Sequence, residues 1–400
     1  MFDRNFIVLE LANILAGPIT TMAFAELGAR VIKVENPHTG GDATRGWKLV
    51  SEPAEGDISG YFSCANWGKE SLACDFTCAA GREVVYELVR RADIVVVSFK
   101  PGDETKLALD YATLSALNPR LIYGQVTAYG PDDPRPGFDA ILQAEAGFTY
   151  LNGEPDGPPT KMPVALIDLL LAHQLKEGLL LALLKRERSG HGSLVTTSLF
   201  EAGIASLANQ ASNYLVGGSV PQRMGSEHPN IVPYGSILRC ADGREVVIAA
   251  ATERQYRELV RALDLSELAD HPDYATGQRR VQHRDALLDR IRERAATLAA
   301  DELAARLGTA KVPFGFVNDM AAVFAEPGAQ RLLLTGERDG RRFTGVRTLA
   351  IGGDAAALQT PPPPPHFNQH AQTILTGLLG YDGTAIAALD ARGAFGTLRT

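Results

Sequence analysis

One carboxylate stands out by its company. Residues 163–178 read PVALIDLLLAHQLKEG, and Asp168 lies inside an otherwise apolar run. An unpartnered ionised carboxylate is costly to bury, so either structure or chemistry has to compensate it. The residue precedes a helical run, LLLAHQLKEGLLLALLKRERSG, and could cap that helix by accepting hydrogen bonds from its first free N–H groups. It could also be a nucleophile held in a dry pocket. The two roles are compatible, and the local sequence leaves both open.

The familiar motifs of group chemistry are missing. The first strand is followed by LAGPITT in place of G-x-G-x-x-G, so the dinucleotide fingerprint fails even though Glu35 ends the second strand, where some folds hold a ribose. The Gly-Lys of NWGKES is followed by Glu70, which rules out a P-loop. Neither G-x-S-x-G nor H-E-x-x-H occurs. The eight histidines show no ligand-type pairing on one helix; His366 and His370 follow a proline run and read as surface or hydrogen-bonding residues. Cys74 and Cys78 have no histidine nearby, so no metal centre is expected.

The elements that must position Asp168 follow from periodicity. FIVLEL (6–11) reads as a strand, Gly17-Pro18 as a turn into the helix ITTMAFAEL, and RVIKVE (30–35) as a second strand. Such a βαβ unit implies a parallel sheet with right-handed crossovers. The pattern returns with a helix at 81–92, a strand at 93–99, the helix YATLSALN and a strand at 120–128. A helix over 169–187 leads to the strand SGHGSLVTTSL and the small-residue helix EAGIASLANQASNYLVGG. A doubly wound sheet is expected, with ligands at the C-terminal ends of its strands.

The Gly/Pro-rich stretch GGSVPQRMGSEHPNIVPYG reads as a boundary loop, and SILRCADGREVVIAAA as a hairpin turning at Asp242-Gly243. Charged helices follow to about 310. The division expected is 1–220 for a large domain, 221–330 for a small one, and 331–400 for a linker and return to the large domain. Five consecutive prolines in QTPPPPPHFNQH (359–370) mark an extended connector to a terminal helix, TILTGLLG; the later GAFG reads as surface chain.

The bulk numbers exclude several classes. The chain has 400 residues, 45% hydrophobic and 22% charged, as in an ordinary globular protein. A net charge of −8 offers no bulk positive field, so neither nucleic acid nor an anionic membrane is an expected partner. MFDRNFIVLELA lacks the form of a signal peptide, no uncharged apolar stretch reaches membrane-spanning length, and four scattered cysteines make no disulfide framework. The expected location is the cytoplasm.

Taken together, VLELANILAGPITTMAFAELGARVIKVENP, GGDATRGW, NWGKESLACDFTCAAGRE, ADIVVVSFKPG, NPRLIYGQVTAYG, PGFDAILQAEAGF, NGEPDGPPTKMPVALIDLLLAH, GHGSLVTTSLFEA, GSEHPNIVPYGSI, VPFGFVND and PPPPPHFNQHAQTILTGLLGYD resemble the family III CoA-transferases of the formyl-CoA and carnitine-CoA type. The resemblance covers essentially the whole chain. It implies an α/β fold: a Rossmann-like large domain with a parallel sheet, a smaller α+β domain, and a homodimer of two interlocked ring-like chains. Substrate would lie between the large domain of one subunit and the small domain of the other.

The resemblance further implies that Asp168 is the nucleophile. It would attack an acyl-CoA thioester to give an aspartyl anhydride and then an aspartyl-CoA thioester, from which CoA passes to an acceptor carboxylic acid. Coenzyme A is then substrate and product, with no permanently bound cofactor and no metal. Leu15, Ala16, Gly17, Arg45, Ser98, Phe99 and Lys106 are the expected cofactor contacts, and Trp47, Phe138, Gly225, His228 and Tyr234 the expected substrate neighbours. The chain departs from the family pattern at Val97-Ser98, where Glu-Asn is common, and at Lys106, where arginine is frequent. Two alternatives remain. A 2-methylacyl-CoA racemase shares the fold, but its G-H-D histidine is Phe138 here, and a phenyl ring cannot accept a proton. A non-catalytic CoA-binding protein would use Asp168 only as a cap.

Overall fold

The computed structural model describes residues 2–354 and 357–396. The chain divides into two compact units, one of residues 1–146, 163–207 and 331–400, the other of residues 147–162 and 208–330. Residues 147–162 thus leave the first unit early, and its later boundary with the second falls at Leu207/Ala208, inside the stretch read as one helix. Ala208 has a left-handed backbone (φ 48°) and separates helices Leu199–Ala205 and Ala208–Leu215.

The first unit is built on six parallel strands: β1 (Ile7–Leu11), β2 (Arg30–Glu35), β3 (Lys69–Ala73), β4 (Ile94–Val97), β5 (Ile122–Thr127) and β6 (Ser193–Ser198), in the order β3-β2-β1-β4-β5-β6. This is the doubly wound order, which reverses between β1 and β4. One face carries Leu9, Leu11, Ile32, Val34, Leu72, Val95 and Val97, packed in a core that includes Val84, Val85 and Leu88. On the other face lie α1 (Ala16–Glu26) and α2 (Leu166–Ser189), which pack on each other. Alternation of side chains along β1, β2 and β3 puts Glu10, Lys33 and Lys69 on that second face, all three buried.

The outer edge of β3 is covered by the proline segment. Gly68 N–H donates to Pro362 O (2.9 Å), Ala73 N–H to Asn368 Oδ1 (2.8 Å), and His370 N–H to Ser71 O (2.9 Å). The prolines lack N–H groups and cannot extend the ladder themselves, so they close an edge that would otherwise template pairing. GAFG is not surface chain: Ala394 and Phe395 are fully buried in the main core, where an aromatic ring at the terminus replaces solvent over β3 and its neighbours.

In the second unit β7 (Tyr234–Arg239), β8 (Glu245–Ala249) and β9 (Phe314–Phe316) form an antiparallel sheet, with Asp242-Gly243 at the first turn as expected. Leu238, Val246 and Ile248 pack with Tyr256, Leu259, Leu287, Ile291 and Leu303 from its helices. The segment 147–162 joins this unit through Gly225 N–H to Gly153 O (3.0 Å) and Arg223 Nη1 to Tyr150 O (3.2 Å). No described helix is long and apolar enough to cross a membrane.

Candidate active site

The sheet order reverses between β1 and β4, so the loops leaving those two strands diverge and leave a crevice. Residues of both loops, with others after β5 and the start of α2, line a cavity of about 280 Å³. Seven expected residues meet there: Leu15, Ala16, Gly17, Ser98, Phe99, Phe138 and Asp168. Asn13, Ile14, Lys100 and Arg135 join them. Ser98 ties the two loops together, its Oγ accepting from Asn13 N–H at 3.2 Å. No side chain caps the first turn of α1, so its opening N–H groups at Ala16 and Gly17 stand at the cavity wall with the positive end of the helix.

Asp168 is 9% exposed and sits within the first turn of α2, after the cap position, which Ala165 occupies without a side-chain bond. The capping work is done by another carboxylate. Asp139, at the start of the short helix Asp139–Glu145, accepts from Ile167 N–H (2.8 Å) and, on its other oxygen, from Gln143 Nε2 (2.8 Å). Both bonds hold Asp139 beside Asp168. Burial, and then the charge of Asp139, push the Asp168 carboxyl up to about 7. A carboxylate of that basicity is a stronger nucleophile than an ordinary one, and at neutral pH it is still substantially ionised.

Tyr61 is a residue that the sequence did not mark. Burial and the neighbouring Asp168 charge raise its phenol above the usual range, so it stays a protonated donor near the carboxylate. Trp47 meets Tyr61 edge-on at 5.1 Å between ring centroids, which connects Trp47 to the site through that ring.

The other expected residues are not among those that line this cavity. Arg45 is buried, its guanidinium bound to both oxygens of Glu35 (2.8 and 2.7 Å) and to Asp57 O and Pro365 O, with Phe62 stacked at 3.8 Å. Lys106 is exposed and paired with Asp103 at 2.8 Å, while Lys100 of the same segment lines the cavity. Gly225, His228 and Tyr234 belong to the second unit. There Gly225 has φ +57°, His228 and Tyr234 meet edge-on at 5.2 Å, and burial with Arg284 lowers the His228 pKa.

Comparison with known proteins identifies the family. The profile of CoA-transferase family III matches residues 4–371. The chain is 37% identical over 388 residues to a succinate–glutarate CoA-transferase of Agrobacterium fabrum, covering 94% of this chain and 96% of that one. It is 38% identical over 331 residues to a succinyl-CoA:mesaconate CoA-transferase of Haloarcula hispanica, covering 80% and 81%. A crystal structure of a CAIB/BAIF family protein from Brucella suis superimposes with a TM-score of 0.81 at 38% identity, covering 94% and 98%.

Proposed function

The chain belongs to the family III CoA-transferases, and on that basis we propose that it moves CoA from an acyl-CoA to a dicarboxylic acid through covalent intermediates on Asp168. The observation that carries this reading is the buried Asp168 carboxylate, raised by burial and by Asp139 and opening on a cavity at the strand reversal.

The Asp168 carboxylate attacks the thioester carbonyl, the carbon–sulfur bond breaks, and CoA thiolate leaves an aspartyl anhydride. The thiolate then attacks the aspartyl carbonyl of the anhydride, which releases the donor acid and leaves an aspartyl-CoA thioester. The acceptor carboxylate attacks that thioester to give a second anhydride and thiolate; attack of the thiolate on the acceptor carbonyl yields the new acyl-CoA and regenerates Asp168. Each tetrahedral oxyanion needs donors. The uncapped N–H groups of Ala16 and Gly17 and the phenol of Tyr61 are suited to that task. Water would destroy either anhydride, and the apolar neighbours Ile14, Leu15 and Phe99 help to exclude it.

A dicarboxylic acceptor is supported by the named substrates of the relatives, succinate, glutarate and mesaconate. Lys100 on the cavity wall suits a ligand with further negative charge. Racemisation is disfavoured because Phe138, at the position of the racemase histidine, lines the cavity and offers no base. We also propose the homodimer: Leu180, Leu181 and Leu184 lie exposed along one face of α2, as a helix that a second chain covers would place them. Light scattering on the purified chain tests it.

Peptide mass spectrometry after brief incubation with succinyl-CoA and other acyl-CoAs tests the chemistry. A hydroxylamine-sensitive adduct on the peptide bearing Asp168, lost in Asp168→Ala, is expected. An adduct that persists in that variant, or none at all from a protein that binds CoA, overturns the reading.

A further inference from the structure

The first unit buries more charge than its hydrophobic core requires. Lys69, Glu10, Lys33, Asp42, Glu35 and Arg45 are each no more than 4% exposed. They form a continuous ladder. Lys69 Nζ meets Glu10 at 2.7 Å, Glu10 meets Lys33 at 2.6 Å, and Lys33 meets Asp42 at 2.8 Å. Asp42 N–H donates to Glu35 at 2.9 Å, and Glu35 pairs with Arg45 at 2.7 Å. Three cations balance three anions, so the ladder is neutral as a whole. Buried pairs of this kind are poor stabilisers compared with apolar side chains of the same volume. Their presence asks for another reason.

The ladder grips the backbone at three points from the end of β1 to the first turn of α1. Lys33 Nζ donates to Ala12 O (2.8 Å), Asp42 accepts from Ile14 N–H (3.1 Å), and Lys69 Nζ donates to Pro18 O (2.9 Å). Between the first and last of these points, Asn13 through Gly17 line the cavity that also contains Asp168. At the centre, Ile14 has φ +74°, a left-handed conformation that a β-branched residue adopts only when its surroundings impose it. Gly17 packs so closely that a Cβ there would lie 2.6 Å from Ala12 Cβ.

We propose that this ladder is the positioning device of the CoA pocket, with Asp42 and Lys33 as the positioning residues that hold Ile14 in its left-handed turn and so aim the Ala16 and Gly17 N–H groups into the cavity. The inference rests on the transferase reading of that cavity. Neither Asp42 nor Lys33 is among the residues that line it; they act through the loop. The strain at Ile14 is the signature of the device, because a loop free to relax would rotate that residue and move the N–H groups that follow it.

Equilibrium binding of free CoA to the full chain tests the proposal, using wild type, Asp42→Asn, Ile14→Gly and the double variant. Asp42→Asn is expected to weaken CoA binding by about ten-fold or more while circular dichroism is unchanged, as befits loss of a charge-assisted anchor and of pre-organisation. Its kcat/KM should fall for the acyl-CoA donor and for the acceptor alike, because the same N–H groups serve the oxyanions of both half-reactions. Glycine adopts the left-handed turn without strain, so Ile14→Gly in the Asp42→Asn background should restore part of the lost affinity. Unchanged binding in Asp42→Asn, or strictly additive effects of the two substitutions, overturns the proposal. Should Asp42→Asn not fold, Ile14→Gly alone decides: weaker CoA binding with a melting temperature no lower than wild type is expected, and identical binding overturns the idea. A wild-type chain that binds no CoA overturns the transferase reading, and this inference with it.

Discussion

Asp168→Asn should make the protein more stable and chemically inert, and the size of the gain should depend on pH. The Asp168 carboxyl has an ordinary value of 3.8 and stands at about 7 in the fold. A group whose pKa is raised by folding contributes fully below its unfolded value and loses that contribution as pH rises towards the folded value. The loss accrues at about 1.4 kcal/mol per pH unit between the two values and levels off above the upper one. At pH 5.5 the ionisable group therefore costs the native state about 2 kcal/mol, and at pH 8 about 4 kcal/mol, relative to a neutral isostere. Asparagine is that isostere. Its advantage over aspartate should accordingly grow by about 2 kcal/mol between the two pH values.

Both tryptophans, Trp47 and Trp67, belong to the first unit, so tryptophan fluorescence follows the unfolding of the unit that holds Asp168 without interference from the other. Denaturant melts of wild type and Asp168→Asn at pH 5.5 and 8 give the comparison. A gain equal at both pH values, or no gain, would mean that Asp168 is not held at a raised pKa, and the argument for an unusually basic nucleophile would fail.

Adduct formation from a saturating acyl-CoA should rise with pH through about 7, because only ionised Asp168 attacks; a single-turnover profile flat from pH 5.5 to 8.5 contradicts this. Asp139→Asn keeps an acceptor for Ile167 N–H but removes the like charge, so the same inflection should move to lower pH while remaining above 3.8, since burial is the larger cause. Gly17→Ala should destabilise by about 1–3 kcal/mol, from a Cβ only 2.6 Å from Ala12 Cβ, and should weaken CoA binding in calorimetry. His366 lies between Asp57 (2.5 Å) and Asp339 (2.6 Å); burial opposes its protonation, but those hydrogen bonds and charges outweigh it and raise its pKa. That stabilisation is complete below 6.5 and fades as pH rises through the raised value, so His366→Gln should lower the melting temperature at pH 6 more than at pH 9.

How much of this was legible in the sequence depended on how each residue is compensated. IVLEL, IVVV and LIYGQVT announce buried parallel strands because their apolar runs are satisfied by burial alone. KESLA gave no such signal. It is an equally buried strand, but Lys69 is neutralised by Glu10 and Glu70 by Arg30, partners distant in sequence. The hairpin Leu333–Arg338 with Arg341–Val346 was hidden likewise by its arginines. In the site, Asp168 was visible as a carboxylate among leucines, and the loop residues 15–17 and 98–99 through the resemblance. Tyr61 and Lys100 were invisible as site residues because nothing local distinguishes a tyrosine beside a buried carboxylate, or a lysine that lines a cavity, from any other. Arg45 was marked as a cofactor contact through the resemblance, yet in the structure its charge is turned inward to Glu35.

The treatment of buried charge within one unit separates its structural from its chemical residues. In the ladder each buried cation has a buried anion within 2.8 Å, and the ladder is neutral. In such company a carboxylate stays ionised and unreactive: Glu10 and Asp42 are both held below the usual range, because the lysines beside them outweigh the burial that opposes it. Asp168 receives the opposite treatment. It is buried as well, but the nearest charge acting on it is another carboxylate, and its pKa moves up. A protein able to neutralise six buried charges so completely could have neutralised this one. The unmatched carboxylate has a use only if its basicity is used, and attack on a thioester carbonyl, where a more basic oxygen is a better nucleophile, is a reaction that uses it. That argument predicts the outcome of placing a cation there: Leu15→Lys, at the cavity wall, should lower the Asp168 pKa, shift the pH profile of adduct formation down, and slow the pH-independent rate above the inflection. A variant with the shifted profile but an undiminished plateau rate would show that Asp168 basicity contributes nothing to the chemistry.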